Sequence, residues 1–176
     1  SFQKVIAEAR DDFRPEGLSE YIENETKQYN AESREYLTFI EEHVKTIIAN
    51  ALESYYGENW IIKGLPKNTY KTAKKMADDK NYELLSNDEE AEIDTWDCIT
   101  LADCRGIVTY SHNWSEIFEN IVTRPEDVDL SNKERKTEWM STMSKEINKI
   151  SKATYSVPKM TFELISSIYD WLVGEK

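Results

Sequence analysis

The chain has 176 residues, of which 32% are charged and 11% aromatic, and its formal net charge is −12. That length buries one substantial core, and the large side chains available to fill it exclude disorder as the main state. A chain this acidic gains nothing from counterion release on a phosphate backbone, so a broad electrostatic grip on nucleic acid is disfavoured.

Five glycines and four prolines leave long stretches without punctuation. Phe2 to Asn30 reads as two short helical stretches broken around Pro15-Glu16-Gly17. Val5, Ile6 and Ala9 are the apolar positions of the first, and Leu18, Tyr21 and Ile22 those of the second. The segment 1–30 is therefore expected to be a helical arm, and 31–176 the main helical domain. A helix capped by Asn30 or Ser33 should follow, because Leu37, Ile40, Val44, Ile47, Ala51 and Tyr55 recur at spacings of three and four. Gly57 supplies its C-terminal stop.

Gly57 to Pro66 is non-periodic, and Pro66 suits the start of the next helix. That helix is expected to end near Asp79, with Tyr70, Ala73, Met76 and Ala77 on its apolar edge. Asp78 to Glu92 is polar and reads as the most flexible loop. A helix from about Thr95 to Tyr110 would bury Trp96, Ile99, Leu101, Ile107 and Val108, and a shorter one starts at Asn113. Arg124-Pro125 interrupts. Ser131-Asn132-Lys133-Glu134 fits a capping box opening a helix that buries Trp139, Met143, Ile147 and Ile150. Val157-Pro158 ends the turn, and the last helix presents Met160, Leu164, Ile168, Trp171 and Leu172. No segment alternates with a period of two, so the fold class is all-α: a helical bundle with a C-terminal two-helix hairpin and an N-terminal helical arm.

Several residue groups invite a chemical reading and fall short of one. Cys98 and Cys104 have no paired histidines, so they make no zinc site and are expected to be buried and reduced. Asp94, Asp97 and Asp103, with Glu90 and Glu92, do not converge as a hard cation requires; they suit an acidic helix start. His43 borders the apolar stripe and is read as a surface or core-edge residue rather than a catalyst. Cys104 and His112 lie about two helical turns apart, and a buried structural thiol is preferred there over a nucleophile. Neither phosphate-loop glycine pattern is present. Lys63, Lys67, Lys71, Lys74 and Lys75 cluster, as do Lys145, Lys149 and Lys152, at the spacing of solvated helix faces. Of the aromatics Tyr55, Tyr56, Trp60, Trp114 and Trp171, Trp60 sits in a glycine-bounded loop and is the choice for a surface contact.

The order of these segments resembles a family. A long amphipathic helix leads into Tyr56-Gly57-Glu58-Asn59-Trp60-Ile61-Ile62-Lys63-Gly64-Leu65-Pro66 and a lysine-rich helix. Ile93 to Asp103, Asn113 to Phe118, and a hairpin containing Ile147-Asn148-Lys149-Ile150 then follow. Over about Tyr36 to Val173 this resembles the HEPN helical domains, in the branch found beside DGQHR-type modules of prokaryotic defence-associated proteins. Active members of that family are metal-independent RNases in which two hairpins pair across a cleft. Each hairpin there offers an arginine and, a few residues on, a histidine. Placing Ile147-Asn148-Lys149-Ile150 on that hairpin sets Ser151 at the arginine position and Tyr155 or Ser156 at the histidine position. Serine does not hold phosphate as arginine does, and a phenol with a pKa near 10 is a poor base at neutral pH.

The resemblance therefore implies a non-catalytic HEPN-like module acting by self-association or partner docking in a defence- or DNA-modification-associated protein. The start at Ser1 suggests a fragment of a longer protein. The expected partner is a second copy, as a homodimer through the Ser131–Val173 hairpin and the Tyr36–Tyr56 helix, or another domain of the same protein. Weak nucleic-acid contact would fall to Lys145, Lys149 and Lys152, with Trp60. A divergent metal-independent endoribonuclease using Lys149 and Tyr155 is the enzymatic alternative, and a structural spacer domain is the third reading. No cofactor, metal or membrane contact is expected. With no signal peptide and no apolar run near ~18 residues, the expected location is cytoplasmic.

Overall fold

Between Gly17 and Gly57 there is neither proline nor glycine, and nothing breaks the backbone hydrogen-bond ladder. In the computed structural model, which describes residues 17–174, that stretch is one continuous helix, α1 (Leu18–Tyr56), about 58 Å long at 1.5 Å per residue. The expected boundary between an arm at 1–30 and a body from residue 31 falls inside it. Asn30 and Ser33, expected as caps, are mid-helix residues. The first helical stretch expected near Val5, Ile6 and Ala9 lies outside the described residues.

The buried stripe of α1 is Ser33, Leu37, Ile40, Val44, Ile48 and Leu52. After Leu37 and Ile40 the steps are all fours, and each step of four turns the stripe about 40° around the axis. The contact line therefore drifts, Ile47 and Ala51 are only half-buried, and Tyr55 is exposed. The drift lets one helix serve two sets of neighbours. Its middle lies along the C-terminal helix, where Tyr36 and Phe39 meet Tyr169. Its end meets the segment after Gly57, whose φ of 79° places it where glycine is favoured. A Cβ on Gly64 would stand 2.8 Å from Leu52 Cδ2 and force that buried side chain to shift, so glycine lets the short α2 (Trp60–Gly64) close on α1.

Helix α3 (Lys67–Ser86) runs about two turns past the expected end, because no glycine or proline stops it; the loop expected from Asp78 is confined to the stretch after Ser86. Only Ala73 and Ala77 of α3 are buried, small residues that admit the one-turn 3₁₀ segment Trp96–Cys98 close by. Asn81 fixes the connection by donating to Ile93 O (2.9 Å) and accepting from Ile93 N–H (3.0 Å).

The single helix expected from Thr95 to Tyr110 is split. Ile99 and Thr100 are extended, and Thr100 with Asp103 forms a complete capping box for α4 (Leu101–Val108). The core residues expected there hold: Ile99, Leu101, Ile107 and Val108 are buried, and Trp96 packs against them half-buried. A π-helical turn at Trp114–Phe118 leads into α5 (Glu119–Val122).

The hairpin begins one residue later than expected, since Asn132, not Ser131, accepts from Arg135 N–H at 2.9 Å. Short α6 (Lys133–Lys136) breaks at Thr137 before α7 (Glu138–Ile150). Helix α7 buries Trp139, Met140, Met143, Glu146 and Ile150, while Ile147 is half-buried. Helix α8 (Lys159–Val173) buries Ile165, Ile168 and Leu172; Leu164 and Trp171 are half-buried and Met160 is 83% exposed. Both helices of the hairpin pack on α1. The fold is all-α, with no strand among the described residues, and no described helix is long and apolar enough to cross a membrane.

Candidate functional site

Glu146 sits three residues after Met143 and four before Ile150, in register with the buried stripe of α7. A carboxylate there must be compensated, since burying an unpaired charge is prohibitive. The two residues of the enzymatic alternative supply the compensation. Tyr155 OH donates to Glu146 Oε2 at 2.7 Å, and Lys149 Nζ lies 3.4 Å from Oε1. The Lys149 ammonium also stands 5.9 Å from the centre of the Tyr155 ring. Burial, reinforced by the hydrogen bond to Glu146, pushes the Tyr155 phenol up to about 12. Tyr155 therefore keeps its proton at neutral pH and donates it permanently. Lys149 and Tyr155 do come together, but around a third side chain: Glu146 accepts the hydrogen bond of the Tyr155 hydroxyl, while the Lys149 ammonium touches it from a half-exposed position.

Helix α1 closes the same corner from the other side. Asn30 Nδ2 donates to Tyr155 O (3.0 Å), and Asn30 Oδ1 accepts from Val157 N–H (2.8 Å), so one amide clamps the α7–α8 turn. Arg34 Nη2 donates to Ile150 O at 3.2 Å. Ser151, which the resemblance sets at the arginine position, donates its hydroxyl to Asn148 O one turn back. Beside it is a groove of about 300 Å³ lined by Arg34, Thr38, Glu41, Glu42, Ile147 and Ser151. Two carboxylates against one guanidinium make it unfavourable for phosphate.

The other expected contact residues are dispersed. Lys145 and Lys152 are exposed on and just beyond α7, and neither forms an ion pair within 4.0 Å among the described residues. Trp60 is half-buried, its ring edge-on to Trp96 at 5.3 Å, with Lys45 Nζ over Trp96 at 5.9 Å. It is a core-rim residue, because the loop expected around it is the helix α2. Trp171 packs edge-on against Trp139, whose Nε1 donates to Val122 O at 3.0 Å. The apolar residues of the hairpin and of Tyr36–Tyr56, expected as an association surface, are buried against one another within the chain.

Cys98 and Cys104 are buried and free, and burial pushes the Cys104 thiol up to about 12. Asp97 accepts from Asp94 N–H and Asp103 caps α4, so these acids serve local turns. His43 stacks on Phe39 at 4.9 Å. His112 receives an unanticipated partner. The fully buried Asn113 donates to Gly64 O and Ile107 O, which turns its Oδ1 toward Tyr56 OH at 2.5 Å. With the Tyr56 proton so spent, His112 Nε2, 3.0 Å away, must donate to the phenol oxygen. That fixes an exposed imidazole as a strut between the end of α1 and the turn after α4.

Sequence reasoning passed over Glu146, although its place between Met143 and Ile150 was visible. It also passed over a second groove, of about 380 Å³, where the start of α8 meets α1. Phe162 stacks on Tyr29 there at 4.7 Å, and Tyr21, Glu25 and Glu32 complete its wall. Compared with known proteins, the chain matches no family model, no curated protein and no solved structure.

Proposed function

We propose that the chain is a non-catalytic helical module, of the HEPN type its sequence resembles, that works by docking to another protein or protein domain. The observation that carries this reading is the closed Glu146–Tyr155–Lys149 group at the hairpin position where catalysis would reside. Its oxygens are occupied, its phenol holds its proton, and its backbone is clamped by Asn30. A proton-transfer catalyst needs a group that changes charge near the working pH and reaches its substrate. Tyr155 holds its proton through that range and spends its hydroxyl on Glu146. The acidic flank of the adjoining groove, Glu41 and Glu42, further supports a protein partner over RNA.

The test is prolonged incubation of the intact protein with single-stranded and structured RNA. The expected result is no cleavage above the background of a heat-denatured sample. Cleavage that is abolished in both Lys149→Ala and Tyr155→Phe, with both variants folded, would establish the endoribonuclease reading instead. Light scattering across a dilution series separates docking to another protein, which predicts a mass near 20.6 kDa, from self-association, which predicts twice that value.

A further inference from the structure

Helix α8 begins at Lys159, and its Phe162 lies beside Tyr29, so the part of α1 before Tyr29 overhangs the end of its neighbour. Residues 17–24 are all exposed, and the apolar ones are conspicuous: Leu18 is 38% exposed, Tyr21 64% and Ile22 47%. At 100° per residue, Leu18, Tyr21, Ile22, Glu25, Tyr29 and Glu32 fall within about 100° of arc, a single face. Further along the same face, Tyr36 stacks on Tyr169 of α8 and Ile40 is buried. Upstream no described residue covers it, and it carries apolar side chains, aromatic rings and carboxylates together.

The chemistry of this face selects its occupant. Tyr29 OH donates to Glu25 Oε1 (2.8 Å), and Gln28 Nε2 donates to Glu32 Oε1 (3.1 Å), so both carboxylates are oriented. Among the described residues neither has a basic partner within 4.0 Å. The carboxylate of Glu163, on α8, adds to the negative field at Tyr29. Oriented carboxylates sharing a groove with Tyr21 and the stacked Tyr29–Phe162 pair repel anions and attract an ammonium or guanidinium, by charge and by cation–π contact with the rings.

We propose that this overhang is a docking site for a basic amphipathic helical segment of a protein partner. The partner's apolar side chains cover Leu18, Tyr21 and Ile22, and its Lys or Arg side chains reach Glu25 and Glu32 across the tyrosine rings. The inference rests on the docking reading of the chain and supplies the partner's chemistry.

The experiment is fluorescence anisotropy of the whole chain with two labelled helical peptides of about five turns. Both carry the same leucine stripe, flanked by Lys and Arg in one and by Glu in the other. The basic peptide is expected to bind at least about tenfold tighter than the acidic one, and its affinity should fall as salt rises. The double variant Glu25→Gln/Glu32→Gln should erase that preference and Tyr21→Ala should weaken binding about tenfold, while Lys74→Ala, on α3, should leave it unchanged. Circular dichroism and melting temperature confirm that each variant is folded.

Equal binding of the two peptides, or an intact preference in the double variant, overturns the proposal. A dimer in light scattering that Tyr21→Ala dissociates overturns it in favour of a second copy. Removal of residues 1–16 that raises peptide affinity about tenfold gives the face to the chain's own N-terminal segment, and overturns it too. RNA cleavage by a chain that still prefers the basic peptide would refute the non-catalytic reading alone.

Discussion

Ser33→Ala tests the continuity of α1 through the sign of its effect. As an N-cap, Ser33 would bond a free amide of the first turn, and replacing it with alanine would cost ~1 kcal/mol. In α1 it is a mid-helix residue with 0% exposure, and its hydroxyl has no hydrogen-bond partner. An unpaired buried hydroxyl costs about 1–3 kcal/mol, and serine lags alanine by roughly 0.5 kcal/mol in a helix interior. Alanine removes both penalties and leaves a cavity no larger than one oxygen atom. Relaxation of the hydroxyl in solution trims the gain, so a net stabilisation of about 1–2 kcal/mol is expected. For a chain of this size that raises the melting temperature by roughly 3–6 °C. The assay is urea denaturation, checked for an unchanged slope, together with thermal melting. A variant that melts below the parent refutes the assignment of Ser33 to the interior of an unbroken helix.

Asn30→Asp keeps the acceptor for Val157 N–H but turns the lost donor into an oxygen facing Tyr155 O, so a loss of about 2 kcal/mol is expected in urea titration. An N-cap would tolerate aspartate without loss. Tyr155→Phe removes a hydrogen bond to a charged acceptor and should cost about 1.5 kcal/mol at neutral pH. The same variant has an alkaline signature. The phenol ionises near 10 when unfolded and near 12 when folded, so its stabilisation is complete below about pH 10 and is lost as pH rises toward 12. Tyr155→Phe should therefore flatten the fall of stability over that interval, as followed by urea titration at stepped pH. Cys98 and Cys104 should resist a thiol-reactive disulfide reagent at neutral pH until urea unfolds the chain, and immediate labelling of Cys104 would contradict its burial.

Periodicity identified much of the core directly. Leu37, Ile40, Val44, Trp139, Met143, Ile150, Ile168 and Leu172 are all buried where their three-and-four spacing puts them. It failed where a stripe drifts, as at Ile48 and Leu52, because consecutive steps of four look locally like a stripe that has lost its register. Helix limits were less legible than helix faces. Asn30 and Ser33 have the composition of caps, yet Asn30 spends its amide on residues 125 and 127 positions away, a demand that no local window contains. The converse error fell at Asp78 to Ser86, where polarity suggested a loop. Nothing there opposes a helix, and Asn81, a loop-favouring residue, instead anchors the returning chain at Ile93.

The two candidate sites differ in legibility for a related reason. The hairpin corner is built from residues close in sequence, Glu146, Lys149 and Tyr155, so its composition could be weighed and its lack of arginine and histidine noticed. What the sequence concealed was the direction of Glu146, which turns a suspected reactive pair into the counterweights of a buried charge. The overhanging face is assembled from α1 and α8, whose contributing residues Tyr29 and Phe162 are separated by most of the chain. Evolution under a catalytic demand would be expected to leave polar groups unspent at the hairpin corner and apolar surface spent elsewhere. The described residues have the reverse distribution: the polar groups of Glu146, Lys149 and Tyr155 are engaged with one another, while Tyr21 and Ile22 are exposed beside two oriented carboxylates. Exposed apolar area of that kind costs solubility and is retained where something covers it, which favours the overhang of α1 over the hairpin as the chain's working surface.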